Sequence, residues 1–274
     1  MLHMTVWLVA IGFLTGTTLV LTGAGGGILA LPLLLFVTDM DVQAAAPIAL
    51  MAVAMSAGVA SLSGLWAGVV RYRAAALMAV SGWLISPLGV WLAHRVSSAL
   101  LACAFALLML RNAWAVWTRS QRDAKWLETR GEKGCACQLS PSTGRLIWSS
   151  TCARVLAFTG VMTGFLSGLL GVGGGFIVVP RLLKHSDLPM QSVVATSLMV
   201  ICLVSLFAVG NSALAHGIEW HIAMPFMSGT IAASLLMRAF ISRIPAQWVS
   251  RAFACMCVVA AAMLLSRNAG ALLN

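Results

Sequence analysis

The feature that most constrains this chain is a series of apolar stretches close to the length that crosses a lipid bilayer. A spanning helix needs about 20 mostly apolar residues, and such stretches lie at 5–22, 44–66, 74–93, 97–117, 155–170, 192–215, 221–241 and 247–265. Inside a bilayer the backbone must satisfy its own hydrogen bonds, which restricts these stretches to helices. The sequence therefore predicts an all-α, polytopic integral membrane protein.

The overall composition supports this class. Of the 274 residues, 61% are hydrophobic and 9% are charged, whereas soluble domains have about 45–50% apolar and about 25% charged residues. The formal net charge of +10 matches the usual excess of Lys and Arg in cytoplasmic loops, so we expect no nucleic-acid partner. The N-terminus has no basic segment before its first apolar stretch, and we expect no removable signal peptide.

The chain is duplicated at an offset of 148 residues, the distance from Gly12 to Gly160. Many positions repeat at this offset: Thr15 and Thr163, Gly16 and Gly164, Pro32 and Pro180, Leu34 and Leu182, Asp39 and Asp187, Gln43 and Gln191, Met51 and Met199. So many matches are not expected by chance, and they predict two homologous repeats. The repeats occupy 1–117 and 153–274, and a basic connector that we expect to be cytoplasmic occupies 118–152.

Each repeat opens with an apolar stretch that glycines interrupt, GAGGG at 23–27 and GVGGG at 171–175. The two pieces form either one broken crossing or a hairpin that returns to its starting side. A hairpin inverts the second repeat relative to the first, and it places most basic residues inside: Arg71, Arg73, Arg181, Lys184 and Arg243, with Arg95 and Arg267 outside. The charge bias therefore favours inverted repeats of about four spans, each with a short glycine-broken helix.

The two glycine runs are the strongest functional signal. Four glycines in five residues cost a helix about 1 kcal/mol each relative to alanine, which predicts a break. A helix that starts after the break presents free N–H groups and the positive end of its dipole, and this arrangement binds anions. Two such starts, near Ile28 and Phe176, would face one another near the midplane. Gly12, Gly16, Gly160 and Gly164 fit close helix packing instead.

The predicted substrate site combines backbone amides at both breaks, the prolines that follow them and nearby polar side chains. It comprises Gly23, Gly25, Gly26, Gly27, Pro32, Gln43, Gly171, Gly173, Gly174, Gly175, Pro180, Gln191, Thr196 and Ser197. Ile48 and Ala49 occupy the places of Thr196 and Ser197 in the first repeat, so these two would make the site asymmetric. Each polar side chain taken singly is better explained by an interhelical hydrogen bond, worth about 0.6 kcal/mol, and only the symmetric places of Gln43 and Gln191 add weight to a binding role.

The paired motifs LTGAGGGILALPLL (21–34) and LLGVGGGFIVVPRLL (169–183) resemble the TauE/SafE family of membrane permeases. The resemblance covers both repeats and implies a multi-pass carrier of the bacterial inner membrane that moves sulfite, sulfonates or related organic acid anions. It implies no enzyme activity, catalytic residue, metal or cofactor. The expected partners are a small anion and the lipid bilayer, with a homo-oligomer left open.

The direction of transport is predicted from the membrane potential. A potential that is negative inside favours anion exit by about 2.3 kcal/mol per charge per 100 mV. Export is therefore the expected direction of an uncoupled carrier.

Two alternatives to a carrier remain. One is a passive anion channel that uses the same glycine breaks, and the other is a membrane thiol-redox protein that uses Cys103, Cys202, Cys255 or Cys257. The seven cysteines are an odd number and imply no disulfide framework. Cys135 and Cys137 are interpreted as structural or incidental thiols rather than as a metal or redox site. His216, Glu219 and His221 are interpreted as a polar loop rather than a metal or proton site.

Overall fold

The computed structural model describes residues 2–23, 26–38, 40–120, 137, 146, 148–215, 219–240 and 253–264. The described chain is almost entirely helical, which confirms the predicted all-α polytopic class. Its helices are α1 (Leu2–Thr22), α2 (Gly26–Val37), α3 (Val42–Trp66), α4 (Tyr72–Arg95), α5 (Ser98–Ser120), α6 (Ser150–Leu170), α7 (Gly175–His185), α8 (Met190–Ala215), α9 (Trp220–Phe240) and α10 (Phe253–Leu264).

Among the described residues, six helices are long and apolar enough to cross a membrane: α1, α3, α4, α6, α8 and α9. The apolar parts of α5 (Leu100–Trp114) and α10 are shorter. Large apolar side chains face outward from the bundle; Leu84 is 77% exposed and Leu107 is 70% exposed. A soluble protein would rarely show so apolar a surface, but lipid tails cover it without cost.

The two repeats exchange equivalent contacts. The most extensive packing joins α4 to α6, α1 to α9 and α3 to α8. At the 148-residue offset, α6 corresponds to α1 and α9 corresponds to α4, so exchanging the repeats turns the first pair into the second. The agreement reaches single residues, since Gly12 faces the carbonyl of Phe226 and Gly160 faces the carbonyl of Met78. A side chain at either glycine would collide with that carbonyl, as expected for close helix packing.

Helix α3 and its counterpart α8 run antiparallel. A Cβ on Gly64, near the end of α3, would lie 2.9 Å from the Cβ of Ala195, near the start of α8. At the other end, Leu50 of α3 shares a buried cluster with Ala208 and Val209 of α8. Equivalent helices that run in opposite directions are what inverted repeats require.

The connector touches both ends of the α6–α7 pair. Cys137 forms a disulfide with Cys152, near the start of α6. The N–H of Cys137 also donates to the carbonyl of His185, the last residue of α7, at 2.9 Å. Because one residue contacts both positions, α6 begins and α7 ends at the same end of the helix bundle. The α6–α7 pair therefore forms a hairpin rather than one straight crossing.

The cysteine count implied no disulfide framework, but Cys137 and Cys152 form a disulfide. The backbone hydrogen bonds of Cys137 to His185 and Asp187 hold this part of the connector beside the start of α6, where the two Cα atoms are 5.0 Å apart. Sequence spacing did not reveal this approach because it depends on where α7 ends. Cys135, by contrast, lies outside the described residues.

Candidate functional site

The second glycine break joins α6 to α7. Gly171 has φ +67° and ends α6 by donating its N–H to the carbonyl of Ser167 at 3.0 Å. Gly173 and Gly174 also have positive φ, at +73° and +64°, and α7 begins at Gly175. An L-residue with a side chain pays about 1–2 kcal/mol in this left-handed region. The glycines are therefore the local cause of the break.

The first glycine break joins α1 to α2 in a related way. Gly23, with φ +68°, donates its N–H to the carbonyl of Leu19 at 2.9 Å. Helix α2 begins at Gly26, and a Cβ on Gly26 would collide with the backbone of Leu19. The short helix therefore restarts against the last turn of α1. Gly25, a predicted site residue, lies outside the described residues.

The two breaks contact each other. Gly27 of the first repeat lies against the carbonyl oxygen of Val172 in the second. Gly27 and Gly173 both pack on Val53, and a Cβ on Gly173 would lie 3.3 Å from Ile201. Because Val53 and Ile201 are near the middle of α3 and α8, the two short helices start at mid-depth in the bundle.

The backbone amides at the breaks fall into two groups. Those of Gly23 and Gly171 are already bonded to the preceding helix, so they are not free to bind a ligand here. Those of Gly26, Gly27 and Gly175, in the first turns of α2 and α7, have no acceptor within their own helix. Together with the positive end of each helix dipole, these first-turn amides favour an anion.

Both motif prolines lie inside the short helices. Pro32 is in α2 and Pro180 is in α7. Proline has no N–H to donate to the carbonyl four residues earlier, so the carbonyls of Ile28 and Phe176 lose their usual helical partners. Each short helix therefore has one hydrogen bond fewer near its start, next to the break.

Two of the predicted polar side chains lie beside the first break. Thr196 and Ser197 of α8 are fully buried. The Ser197 hydroxyl donates to the carbonyl of Gly23 at 2.9 Å, and the Thr196 hydroxyl accepts from the N–H of Arg71 at 3.0 Å. The Nε of Arg71 is buried and has no partner among the described residues.

The two predicted glutamines lie away from the breaks. Gln43 donates to the carbonyl of Ala93, at the end of α4, at 3.1 Å. It precedes Val53 on α3 by ten residues, which is about 15 Å at 1.5 Å per residue. Gln191 is exposed at the start of α8. A substrate role for both stays a prediction.

Sequence reasoning missed a group of buried hydroxyls near the second break. Four of them are 0% exposed and have no hydrogen-bond partner in the described structure: Ser86, Thr163, Ser167 and Ser205. A Cβ on Gly173 would lie 3.0 Å from the Oγ of Ser205, and Thr163 packs against Gly174. Comparing the repeats could have revealed two of them, because Ser167 and Ser205 replace Leu19 and Ala57 of the first repeat.

The other groups considered in the sequence are the polar loop with Glu219 and the cysteines of the thiol-redox alternative. Glu219 and His221 form an exposed pair at 3.6 Å, and His216 lies outside the described residues. No group of three or more potential metal ligands occurs in the described ranges. The cysteines of the thiol-redox alternative, Cys103, Cys202, Cys255 and Cys257, are free thiols.

Comparison with known proteins identifies the family. Residues 8–264 match the family described as sulfite exporter TauE/SafE. A probable membrane transporter protein of Xylella fastidiosa strain Temecula1 is 28% identical over 94% of this chain and 93% of its own length. A second from strain 9a5c is 30% identical over 80% of this chain and 78% of its own.

A more distant relative and the solved structures complete the comparison. The probable membrane transporter protein YunE of Bacillus subtilis is 24% identical over 81% of this chain and 83% of its own length. No solved structure is significantly similar to the chain. The family match spans both repeats, both glycine breaks and the connector. This multi-pass membrane protein therefore belongs to the sulfite exporter TauE/SafE family.

Proposed function

We propose that the protein is a secondary carrier of small oxyanions, with sulfite and organosulfonates as its main substrates. It works by alternating access at the paired glycine breaks, in the inner membrane of a bacterium and in the direction of export. The observation that carries the proposal is the contact between the two breaks at mid-depth, where Gly27 meets the carbonyl of Val172. Two helix starts that converge inside a bundle form a site suited to an anion.

The course of the helices supports inverted repeats. The contacts of Cys137 with Cys152 and His185 indicate a hairpin in the second repeat, and α3 and α8 are antiparallel. Inverted repeats allow two states of similar energy, because each repeat can adopt the conformation that the other has left. This exchange is the usual basis of alternating access.

The tight packing between the breaks supports a gated mechanism over an open pore. Gly27 leaves no space for a side chain against Val172, and Gly173 is similarly enclosed by Val53 and Ile201. An anion passes only if these contacts separate. A carrier opens them on one side at a time, whereas a passive channel holds a continuous path.

The substrate class and the direction rest on separate grounds. The family description names a sulfite exporter, and the relatives are named as membrane transporters. The donors at the breaks are amides and hydroxyls, which bind the oxygens of sulfite or a sulfonate. Export follows from the membrane potential, which favours anion exit by about 2.3 kcal/mol per charge per 100 mV.

Flux into proteoliposomes tests the proposal. Labelled sulfite, sulfate, thiosulfate, sulfoacetate and a carboxylate control are compared, with and without an imposed pH gradient and potential. We expect saturable flux of a sulfur oxyanion, accelerated by unlabelled substrate on the opposite side. Non-saturable flux without counter-transport would indicate a channel instead. Absence of flux for every anion, in folded protein, would contradict the proposal.

A further inference from the structure

We infer that the substrate binds asymmetrically, at the second glycine break, and that it is a singly charged oxyanion held by the hydroxyls of Ser205 and Thr163 together with the first-turn amides of α7. This inference rests on the proposed function. The substrate site predicted from the sequence includes both glycine breaks but neither Ser205 nor Thr163. Its evidence is the hydrogen-bonding state of hydroxyls at equivalent places in the two repeats.

Ser205 points to a ligand through its position and its missing partner. It is 0% exposed, and its hydroxyl has no hydrogen-bond partner among the described residues. The Oγ lies 3.0 Å from the position of a Cβ added at Gly173, so the absence of a side chain there lets the hydroxyl pack close to the backbone of the break. Burying an unpaired hydroxyl costs stability, and a bound acceptor removes that cost. In the first repeat the equivalent residue is Ala57, which needs no partner.

Thr163 gives an independent comparison, because its counterpart has the same side chain. Thr15 is also fully buried, and it donates to the carbonyl of Ile11 at 2.8 Å. This bond to the carbonyl four residues earlier is the normal state of a helical hydroxyl, and Thr159 makes it as well. Thr163 makes no such bond in the described structure, and its methyl group and backbone lie against Gly174, just before the start of α7.

The chemistry of these groups selects an oxygen-rich anion. Hydroxyls and backbone amides are offered from three helices: Thr163 on α6, the first turn of α7, and Ser205 on α8. A ligand that pairs all three needs at least three acceptor positions in a compact, non-planar shape. A sulfonate or hydrogensulfite group meets this requirement better than a planar carboxylate or a halide ion.

The electrostatics select a single negative charge. The atoms nearest to a Cβ added at Gly173 or Gly174 belong to Val53, Thr163, Ile201 and Ser205, and each of these residues is uncharged. The positive field comes from the start of α7, which is equivalent to about half an elementary charge. The cost of removing an ion from water rises with the square of its charge, so this site favours a monoanion over a dianion such as sulfate.

Equilibrium binding tests the inference on the intact, purified protein in detergent. Methanesulfonate and sulfate are titrated by calorimetry against the wild type, Ser205→Ala and Thr163→Val. Matched controls are Ser234→Ala and Thr15→Val, since these buried hydroxyls already donate to the carbonyls of Thr230 and Ile11. We expect methanesulfonate to bind the wild type at least tenfold more tightly than sulfate. Both site variants should lose at least tenfold in methanesulfonate affinity, and both controls should stay within twofold.

The possible failures are distinguishable. Suppose that the wild type transports and binds methanesulfonate, and that Ser205→Ala and Thr163→Val bind it as tightly as the wild type does. The inference is then overturned and the proposed function stands. Equal losses in the control variants would also overturn it. Tighter binding of sulfate would refute the assignment of a single charge. If the folded wild-type protein neither transports nor binds any of the anions tested, the proposed function itself fails. Should Ser205→Ala not fold, Thr163→Val decides.

Discussion

The hydroxyl of Ser197 donates a hydrogen bond of 2.9 Å to the carbonyl oxygen of Gly23. This bond joins α8 of the second repeat to the first glycine break, and both residues are buried. Ser205, two turns further along the same helix, has no partner in the described structure. The hydroxyl beside the first break is thus bonded within the protein, whereas the Ser205 hydroxyl beside the second break has no partner among the described residues.

Gly174→Ala is expected to abolish transport and to destabilise the protein. The residue has φ +64°, and an added Cβ would meet Thr163. The left-handed backbone costs about 1–2 kcal/mol, and overpacking adds about 1–3 kcal/mol.

The larger substitutions Gly174→Leu and Gly26→Leu should abolish transport, while the protein still inserts into the membrane. Thermal unfolding in detergent and sulfite flux measure the two effects.

Two other glycines serve as controls for Gly174→Ala. Gly68 has φ +68° and nothing within 4 Å of an added Cβ, so Gly68→Ala should cost only the backbone term, about 1–2 kcal/mol. Gly210 lies in a helix in open space, where alanine should be neutral or stabilise by up to about 1 kcal/mol. Both variants should keep transport. A Gly174→Ala protein as stable and active as Gly68→Ala would contradict the crowding at the break.

Single-cysteine labelling should place both ends of the α6–α7 hairpin on one side of the membrane. Arg154, Lys184 and Glu219 are all exposed, so each is replaced by cysteine in a background without the native thiols. Arg154→Cys and Lys184→Cys should react with an impermeant maleimide from one side, and Glu219→Cys from the other. Labelling of the first two from opposite sides would exclude the hairpin.

Loss of the disulfide should loosen the connector. Cys137 and Cys152 are separated by 15 residues, and a loop of that size gains about 3 kcal/mol from a cross-link. Cys152→Ser should therefore lower the Tm and make the connector more sensitive to protease. Reduction should reproduce the effect in the wild type only. Cys103→Ser, which removes a free thiol, is the control. If it lowers the Tm equally, the disulfide is not the cause.

Substitution of Gln43 and Gln191 distinguishes a structural role of these side chains from a role in substrate binding. Gln43→Leu removes the hydrogen bond to Ala93 at 3.1 Å and should cost about 1 kcal/mol. Gln191 is exposed, so Gln191→Leu should change stability by less than about 0.5 kcal/mol. Unfolding and sulfite flux are measured for both. A matching fall in flux would support the symmetric binding role that the repeat predicts, and unchanged flux in both would remove them from the site.

The sequence by itself determined the helices and their breaks. The predicted stretch 44–66 lies within α3, and the break predicted before Phe176 ends at Gly175, where α7 begins. These features are local, because a helix bonds residues four apart and a left-handed φ is a property of single glycines. Apolar length, the glycine runs and the 148-residue repeat were therefore sufficient to predict them.

Only the tertiary structure decided which polar groups are free. Ser197 and Gly23 are 174 residues apart in the chain, and Cys137 reaches Cys152 because α7 ends beside the start of α6. Thr15 and Thr163 are identical in type and equivalent in the repeat, yet one hydroxyl is bonded and the other is not. The hydrogen-bonding state of a buried group depends on the neighbours that packing brings to it, and periodicity in the sequence carries no record of those neighbours.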